Sequence, residues 1–419
     1  ESQYRVINFE PMPFERLTCT TTRIPMFQRV NCRSVSPSQT LVVDKQECAH
    51  YWAALLELWK VKTNHFPGAH PTSVDTNTIT AFARHPYVVS LKTDGVRFIL
   101  FLTRRPDGLP IALMINRSED MYEVSAWASE AFFDGTILDG ELVWERSGTC
   151  MHYLVFDVVS LSGSHVADRV FGERLQLIHS TLLGPVHPDA ADTDVQQQVR
   201  DEQKIVLRHV QPTRIVMLPK SCATLNNTLK TWMSRNASPY RNDGLLFTRT
   251  DVAMPFGRTA HMLKWKELHT IDVTLAIANE TINCQVMGRN GQLISLEHSI
   301  DFVTHVVLET NELTTEAEIV ECAITRWSRA TGHLHLYPVR SRRDKNHPNA
   351  PATVISTLRN IEEALTIADI MNSVHYESPA PSSKKNGSPS KPGTHARQPV
   401  VKRPRRPLRS ATSVNDASA

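Results

Sequence analysis

The chain has 419 residues, 41% of them apolar, which by size allows two or three cored domains. A formal net charge of +3 excludes a chain that is basic throughout, of the kind that coats nucleic acid. The charge is uneven: residues 381–419 hold nine Lys or Arg against one acid, Asp416, so the remainder is slightly negative and any electropositive surface on it must be local. Seven cysteines (Cys19, Cys32, Cys48, Cys150, Cys222, Cys284 and Cys322) are scattered and form no CxxC pair, which argues against a disulfide framework or a zinc site and fits a reducing compartment. No apolar run approaches the roughly 18 residues of a membrane span, and no membrane partner is expected.

Residues 1–40 are polar and broken by prolines, and predict an irregular N-terminal segment. Residues 44–60 carry apolar residues at helical spacing and predict an amphipathic helix. FPGAHPTS (66–73) reads as a loop, and 75–83 as a short helix. Strand-like runs follow at 87–92, 96–103, 110–116, 137–144 and 153–159, with DG, PDG and SG turns between them. The first two, VVSLKTDGVRFILF, read as a buried hairpin closed at Gly95. A helix is predicted at 173–183, a polar mobile loop at 185–203, and strands at 214–218, 244–249 and 262–266. From Asp272 five short strands (DVTLAIA, INCQVMG, QLISLE, EIVECAITRW, LHLYPVR) predict a small barrel of OB type. Residues 351–373 predict one helix, and Ser, Pro, Lys and Arg dominate a tail from 377 that reads as disordered.

Charges intrude on these apolar strands in a definite order. KTDGVR brings Lys92, Asp94 and Arg97 into the first pair of strands. LDGELVW puts Glu141 on a strand, and YLVFDVV carries Phe156 and Asp157. NDGLLF sets Asp243 before another apolar strand. MLKWKEL places Lys264 and Lys266 two apart, which on a strand points both ammonium groups to one face. Two like charges side by side are costly unless an anion lies between them, and phosphate is the obvious one. VRSRRDKNHPN adds a dense cationic run at 339–349.

Taken in order, these motifs resemble the covalent nucleotidyltransferases, that is, capping-enzyme guanylyltransferases and ATP- or NAD-dependent ligases. Three details point to the mRNA capping guanylyltransferases. FPGAHPTS resembles their P-G-x-Q-P-V-S segment, with His70 in place of the Gln; LKWK running into HTIDVTL resembles their fifth motif; RSRRDKNHPN resembles their sixth, R-x-R-x-D-K-x-x-P-N, a form ligases lack. The resemblance spans about residues 65–373.

It implies an α+β fold: a nucleotidyltransferase domain (ATP-grasp-like, ligase-type) of antiparallel sheets with flanking helices over 41–270, an OB-fold β-barrel with its C-terminal helix over 271–376, and a basic tail over 377–419. It implies that Lys92 attacks the α-phosphate of GTP, forms a lysyl-N–GMP phosphoramidate, and passes GMP to a 5′-diphosphate RNA end. An unperturbed lysine is neutral in only about one molecule in 2,500 at pH 7, so neighbouring cations or burial must lower its pKa. By match, Arg97 and Glu141 bind the ribose hydroxyls, Phe156 stacks on guanine, Arg117 contacts the nucleotide and Lys220 reads guanine O6. Lys264 and Lys266 neutralise the α-phosphate, while Asp243 lies near Lys92 and a divalent metal, Mg2+ or Mn2+. Asp272, Arg340 and Lys345 engage the β,γ-phosphates when the cleft closes about a link at 267–271. Asp94 is expected to orient Lys92 or to support the turn.

An RNA triphosphatase, a cap methyltransferase and the RNA polymerase II C-terminal tail are the protein partners that the resemblance implies. VKRPRRPLR (401–409) looks like a nuclear localisation signal, so a nuclear protein is expected. The alternatives are an ATP-dependent RNA or DNA ligase of the same superfamily, and a catalytically inactive RNA-binding scaffold.

Overall fold

The computed structural model describes residues 44–373 except 64, 118, 147–149, 184–190, 208–213, 224–231, 233–237, 279–280, 310–318 and 343–344, and the side chains of 150, 214, 277, 278, 281 and 340. By contact the chain divides into Glu1–Tyr376 and Glu377–Ala419. The N-terminal segment 1–40, the tail from 377 and its basic motif lie outside the described residues.

Helix α1 (Lys45–Trp59) leads, followed by β1 (His70–Ser73), a 3-10 turn (Ile79–Ala83), β2 (Tyr87–Thr93), β3 (Val96–Arg104) and β4 (Pro110–Asn116). Next come β5 (Met121–Val124), β6 (Ala126–Ala128), a second 3-10 turn (Glu130–Asp134), β7 (Thr136–Trp144), β8 (Cys150–Leu161) and β9 (Ser164–His165). Helices α2 (Phe171–Thr181) and α3 (Asp192–Glu202) precede β10 (Ile205–Leu207), β11 (Arg214–Pro219), β12 (Asn242–Arg249) and β13 (Arg258–Lys266). The C-terminal part holds β14 (Thr270–Ala278), β15 (Thr281–Met287), β16 (Leu293–Ser295), α4 (Leu296–Ser299), β17 (His305–Leu308), β18 (Ile319–Ser328), β19 (His333–Ser341), α5 (Pro351–Glu363) and α6 (Ile367–Ser373).

The largest sheet has seven strands, ordered β11-β8-β7-β3-β4-β5 with β9 beside β8. Its β3 shows why the run FILFL is apolar throughout. Side chains alternate across a strand, so Phe98, Leu100 and Leu102 enter the core that holds Ile178 of α2, while Ile99 and Phe101 enter the one that holds Tyr51, Leu55 and Trp59 of α1. Both faces are covered, and an alternating polar pattern has no place there. Asp44 caps α1 by accepting from the Glu47 amide at 2.7 Å.

The expected hairpin at 88–101 does not form. β2 pairs with β12 in a four-stranded sheet ordered β1-β13-β12-β2, whereas β3 pairs with β4 and β7 in the seven-stranded sheet. KTDGVR is therefore the seam between two sheets. Gly95 is needed there for closeness: a Cβ would lie 2.5 Å from the Leu142 carbonyl and 2.5 Å from Val143 Cγ1, so β2 could not hand over to β3 beside β7. The segment 66–73 also differs, since its second half is β1, parallel to β13. Residues 192–202, expected in a polar loop, form α3. Only Val195 and Val199 of that helix are buried, so its apolar stripe is too thin to stand out in sequence.

The expected OB barrel is not supported. The five predicted strands all form, with β17 as a sixth, but they make an open sheet ordered β16-β15-β14-β18-β19-β17. Among the described residues no ladder joins β16 to β17. β16 is three residues long and runs directly into α4, and β17 is four residues long and lies parallel to β19, so neither edge supplies the long staggered pairing that closure needs. Helix α5 lays Val354 and Leu358 on this sheet's core. The single helix expected over 351–373 is broken at Ala364, which is left-handed at φ 48°. Beyond the break α6 returns to the four-stranded sheet, where Ile370 packs with Phe82, Leu245, Phe247 and Leu263.

Candidate active site

The cleft begins on a rung of the four-stranded sheet. Register sets Lys266 of β13 opposite Gly244 of β12, and Gly244 opposite Lys92 of β2. A Cβ at Gly244 would collide with the Trp265 carbonyl, so the rung closes only around glycine. Asp243 lies between the two lysines, with Oδ1 2.6 Å from Lys92 Nζ and Oδ2 2.7 Å from Lys266 Nζ. Burial and then Lys266 lower the Lys92 pKa, and Asp243 opposes them without cancelling the shift. Burial tends to raise the Asp243 pKa, but the two lysines outweigh it and hold the carboxyl below its usual range. Lys264 is brought down to about 8 by burial and the charges of Lys266, Lys92, Arg117 and Arg258. The expected one-sided pair of lysines on β13 is present: both line the cleft, and Trp265 between them donates from Nε1 to the Leu365 carbonyl at 2.9 Å.

Beyond Lys92 the cleft continues onto the seven-stranded sheet. Arg97 opposes Glu141 in the β3–β7 ladder. The Arg97 guanidinium is buried on Asp139, with Nε 2.9 Å from Oδ1 and Nη2 on Oδ2, and its Nη1 donates to the Ala69 carbonyl at 2.6 Å. Glu141 takes a short hydrogen bond from Thr93 and lies 3.2 Å from Lys220 Nζ, which also donates to Thr93 Oγ1 at 3.1 Å. Phe156 sits between two cations, with Arg97 5.4 Å and Lys220 5.6 Å from its ring centroid. Behind it, Asp157 receives a two-pronged ion pair from Arg174, at 2.7 and 3.0 Å. Asp94 lines the cleft and donates its amide to the Arg241 carbonyl at 3.0 Å, while the carboxylate on Lys92 is that of Asp243.

The opposite wall comes from the six-stranded sheet. Asp272 is buried and takes Arg342 Nη1 at 3.1 Å and an ion pair from Lys345. Asn349 locks the same place: its Oδ1 accepts from the Asp272 amide at 2.9 Å and its amide donates to the Asp272 carbonyl at 2.8 Å. The Arg340 backbone pairs with Glu321, and its side chain lies outside the described residues.

Together these walls enclose a cavity of about 730 Å³. Lys92, Arg97, Arg117, Glu141, Asp243, Lys264 and Lys266 line it from one side, and Asp272 and Lys345 from the other. Phe156 and Lys220 are not on its lining; they stand behind Arg97 and Glu141. Sequence reasoning passed over three contributors. Arg342 faces the cavity from just past the end of β19. Asp139, in the same DGE motif as Glu141, anchors Arg97. His70, noted only as a departure from the family pattern, lines the cavity; burial and the cations Arg117, Arg97 and Lys264 lower its pKa to about 4, so the ring is neutral.

A buried lysine of lowered pKa where two mixed sheets meet, with cations on both walls of the cleft, has the make-up of a nucleotidyltransferase site. Residues 34–268 match the family model for the mRNA capping enzyme, catalytic domain, and the chain belongs to that family: it is an mRNA guanylyltransferase. It is similar to the mRNA-capping enzyme subunit alpha of Schizosaccharomyces pombe, 24% identical over 338 residues that span 73% of this chain and 79% of that protein. It is also similar to the mRNA-capping enzyme of Mus musculus, 26% identical over 346 residues, 80% of this chain and 54% of that protein. Among solved structures, a mycobacterial DNA ligase D complexed with ATP and MES overlaps at 14% identity, 68% of this chain and 96% of that chain, with a TM-score of 0.36, a likeness too slight to decide reaction or substrate.

Enzymes of this family require a divalent metal ion, yet among the described residues no group of three or more His, Cys, Asp or Glu is placed to hold one.

Proposed function

We propose that Lys92 carries the guanylate. The observation that supports this most is the shared carboxylate: Asp243 fixes Lys92 against Lys266, while burial and Lys266 lower the Lys92 pKa toward the neutral amine. In the first step the Lys92 nitrogen forms a bond to the α-phosphorus of GTP, the bond to pyrophosphate breaks, and the amine loses its proton. In the second, a phosphate oxygen of a 5′-diphosphate RNA end bonds to that phosphorus, the P–N bond breaks, and the lysine nitrogen recovers a proton.

In this reading guanine sits on the Phe156 side, where Lys220 meets its O6, and the ribose hydroxyls meet Arg97 and Glu141. Lys220 then exchanges its present contact with Glu141 for the base. Arg117, Lys264 and Lys266 take the α-phosphate, and Arg340, Lys345 and Asp272 orient the pyrophosphate, with Arg342 added to that group. Asp243 is the residue that would hold Mg2+ or Mn2+, and a bound metal would supply charge neutralisation on the phosphates. We place the boundary between the nucleotidyltransferase part and the C-terminal part near residue 270. The basic motif at 401–409 is the address for a nuclear enzyme, with a triphosphatase, a cap methyltransferase and the polymerase tail as partners.

The test is incubation with labelled GTP or ATP and a divalent metal, without RNA, followed by a denaturing gel. Label from GTP that depends on metal and on Lys92 is the expected result. Label from ATP alone overturns the reading in favour of a ligase.

A further inference from the structure

One wall of the cleft has no part in the handling of GTP described above. Thr353, Thr357 and Asn360 of α5 line the same cavity. Their i, i+4, i+7 spacing puts them on one stripe, beside the stripe whose Val354 and Leu358 are buried in the six-stranded sheet's core. The cavity-facing stripe is uncharged, two hydroxyls and a carboxamide, in a cleft otherwise dominated by charge. Thr357 Oγ1 donates to the Thr353 carbonyl at 3.0 Å, so its hydroxyl is left to act as an acceptor.

The position of α5 along the cleft matters as much as its chemistry. Its C-terminal end is tied to β13 and to the end of β1: the Leu365 carbonyl takes Trp265 Nε1 at 2.9 Å, and Glu363 Oε2 takes the Thr76 amide at 2.9 Å. The sheet order β1-β13-β12-β2 then fixes a row. Starting from α5 one meets Lys264 and Lys266, then Asp243, then Lys92, and beyond Lys92 the strands that carry Arg97, Glu141 and Phe156. Strand β1 spans the same distance: Ala69, just before it, takes Arg97 Nη1, and Thr76, just past it, reaches Glu363, so the C-terminal end of α5 is remote from the guanosine side.

A guanylate on Lys92 has two directions already taken, one by its nucleoside and one by the lysine. In-line displacement brings the acceptor phosphate in opposite the lysine nitrogen. That is the side from which pyrophosphate leaves, the wall of Asp272, Arg342 and Lys345, and α5, which begins just after Asn349 of that wall, lines the same cavity. Phosphates of the acceptor meet Arg342 and Lys345, and the sugars and bases behind them meet α5. Neutral hydroxyl and amide groups suit ribose hydroxyls and base edges, the 2′-OH being both donor and acceptor.

We propose that Thr353, Thr357 and Asn360 form the subsite that receives the first nucleotides of the acceptor RNA. The proposal rests on Lys92 as the covalent site. Its test separates the two half-reactions in the full-length chain: labelling by GTP without RNA, then chase of the label onto a short 5′-diphosphate RNA. Thr357→Val with Asn360→Leu keeps side-chain size and the helix. At roughly fivefold per neutral hydrogen bond lost, the acceptor KM is expected to rise about twenty-fivefold, while label formation from GTP stays as in the unaltered chain. Thr357→Ser alone should behave as the unaltered chain. Unchanged transfer in the double variant overturns the subsite. Equal loss of labelling and transfer also overturns it, by placing the stripe in GTP binding. Failure of the unaltered chain to take label from GTP overturns the Lys92 reading and this proposal together.

Discussion

Lys92 and Lys266 are held on the two oxygens of one carboxylate, 2.6 and 2.7 Å from Asp243. The Lys92 amine is consequently pulled in two directions. Burial and Lys266 favour its neutral form, and Asp243 favours the ammonium.

Removing either neighbour should move the pH dependence of label formation, in opposite senses. Labelling rises with pH as Lys92 loses its proton. Asp243→Asn deletes the charge that stabilises the ammonium, so the midpoint moves to lower pH; misplacement of the amine should also cut the plateau rate by about a hundredfold. Lys266→Met deletes a like charge, so the midpoint moves to higher pH. Single-turnover labelling across a pH series reads both, and shifts of the same sign would contradict the shared-carboxylate account.

Lys92→Ala should lower GTP labelling by at least about a thousandfold, and Lys92→Arg should be equally inert, since a guanidinium stays protonated at any working pH. Labelled GTP and a denaturing gel give the answer; residual label in the arginine variant would place the attachment elsewhere.

Asp139→Ala should destabilise the protein by about 3–5 kcal/mol, because it leaves the buried Arg97 without its carboxylate. Urea unfolding of the variant measures this. A loss within about 1 kcal/mol, the range of an exposed pair, would mean that Arg97 finds another anion.

Gly95→Ala should cost about 1–3 kcal/mol by crowding the seam between the two sheets. Because the displaced strands carry Lys92 and Arg97, labelling should fall as well, at temperatures where circular dichroism reports a folded chain.

The sequence made the chemistry more legible than the architecture. Lys264 and Lys266 were readable because strand periodicity alone puts both on one face. Lys92 and Asp243 are 151 positions apart, and only the order of motifs suggested that they meet. The strands of VVSLKTDGVRFILF were correctly seen as apolar, but local turn chemistry could not show that they join different sheets; that depends on β12 and β7, which arrive much later in the chain. The same limit explains the barrel. Short strands at close spacing are common to open and closed sheets, and closure is decided by edge strands such as Leu293–Ser295, whose three residues carry almost no pattern. The motifs assign Phe156 and Lys220 to the base, yet their place behind Arg97 and Glu141 follows from packing that no motif records.

The return of α6 to the four-stranded sheet carries a mechanical consequence. The six-stranded sheet and α5 are moored twice, once by the link from Lys266 into Thr270 and again by the segment Ala364–Thr366. Two moorings would confine any hinge motion of this part to rotation about the line that joins them. Leu365, in the second mooring, takes Trp265 Nε1, so such a rotation would bear on the strand from which Lys264 and Lys266 project.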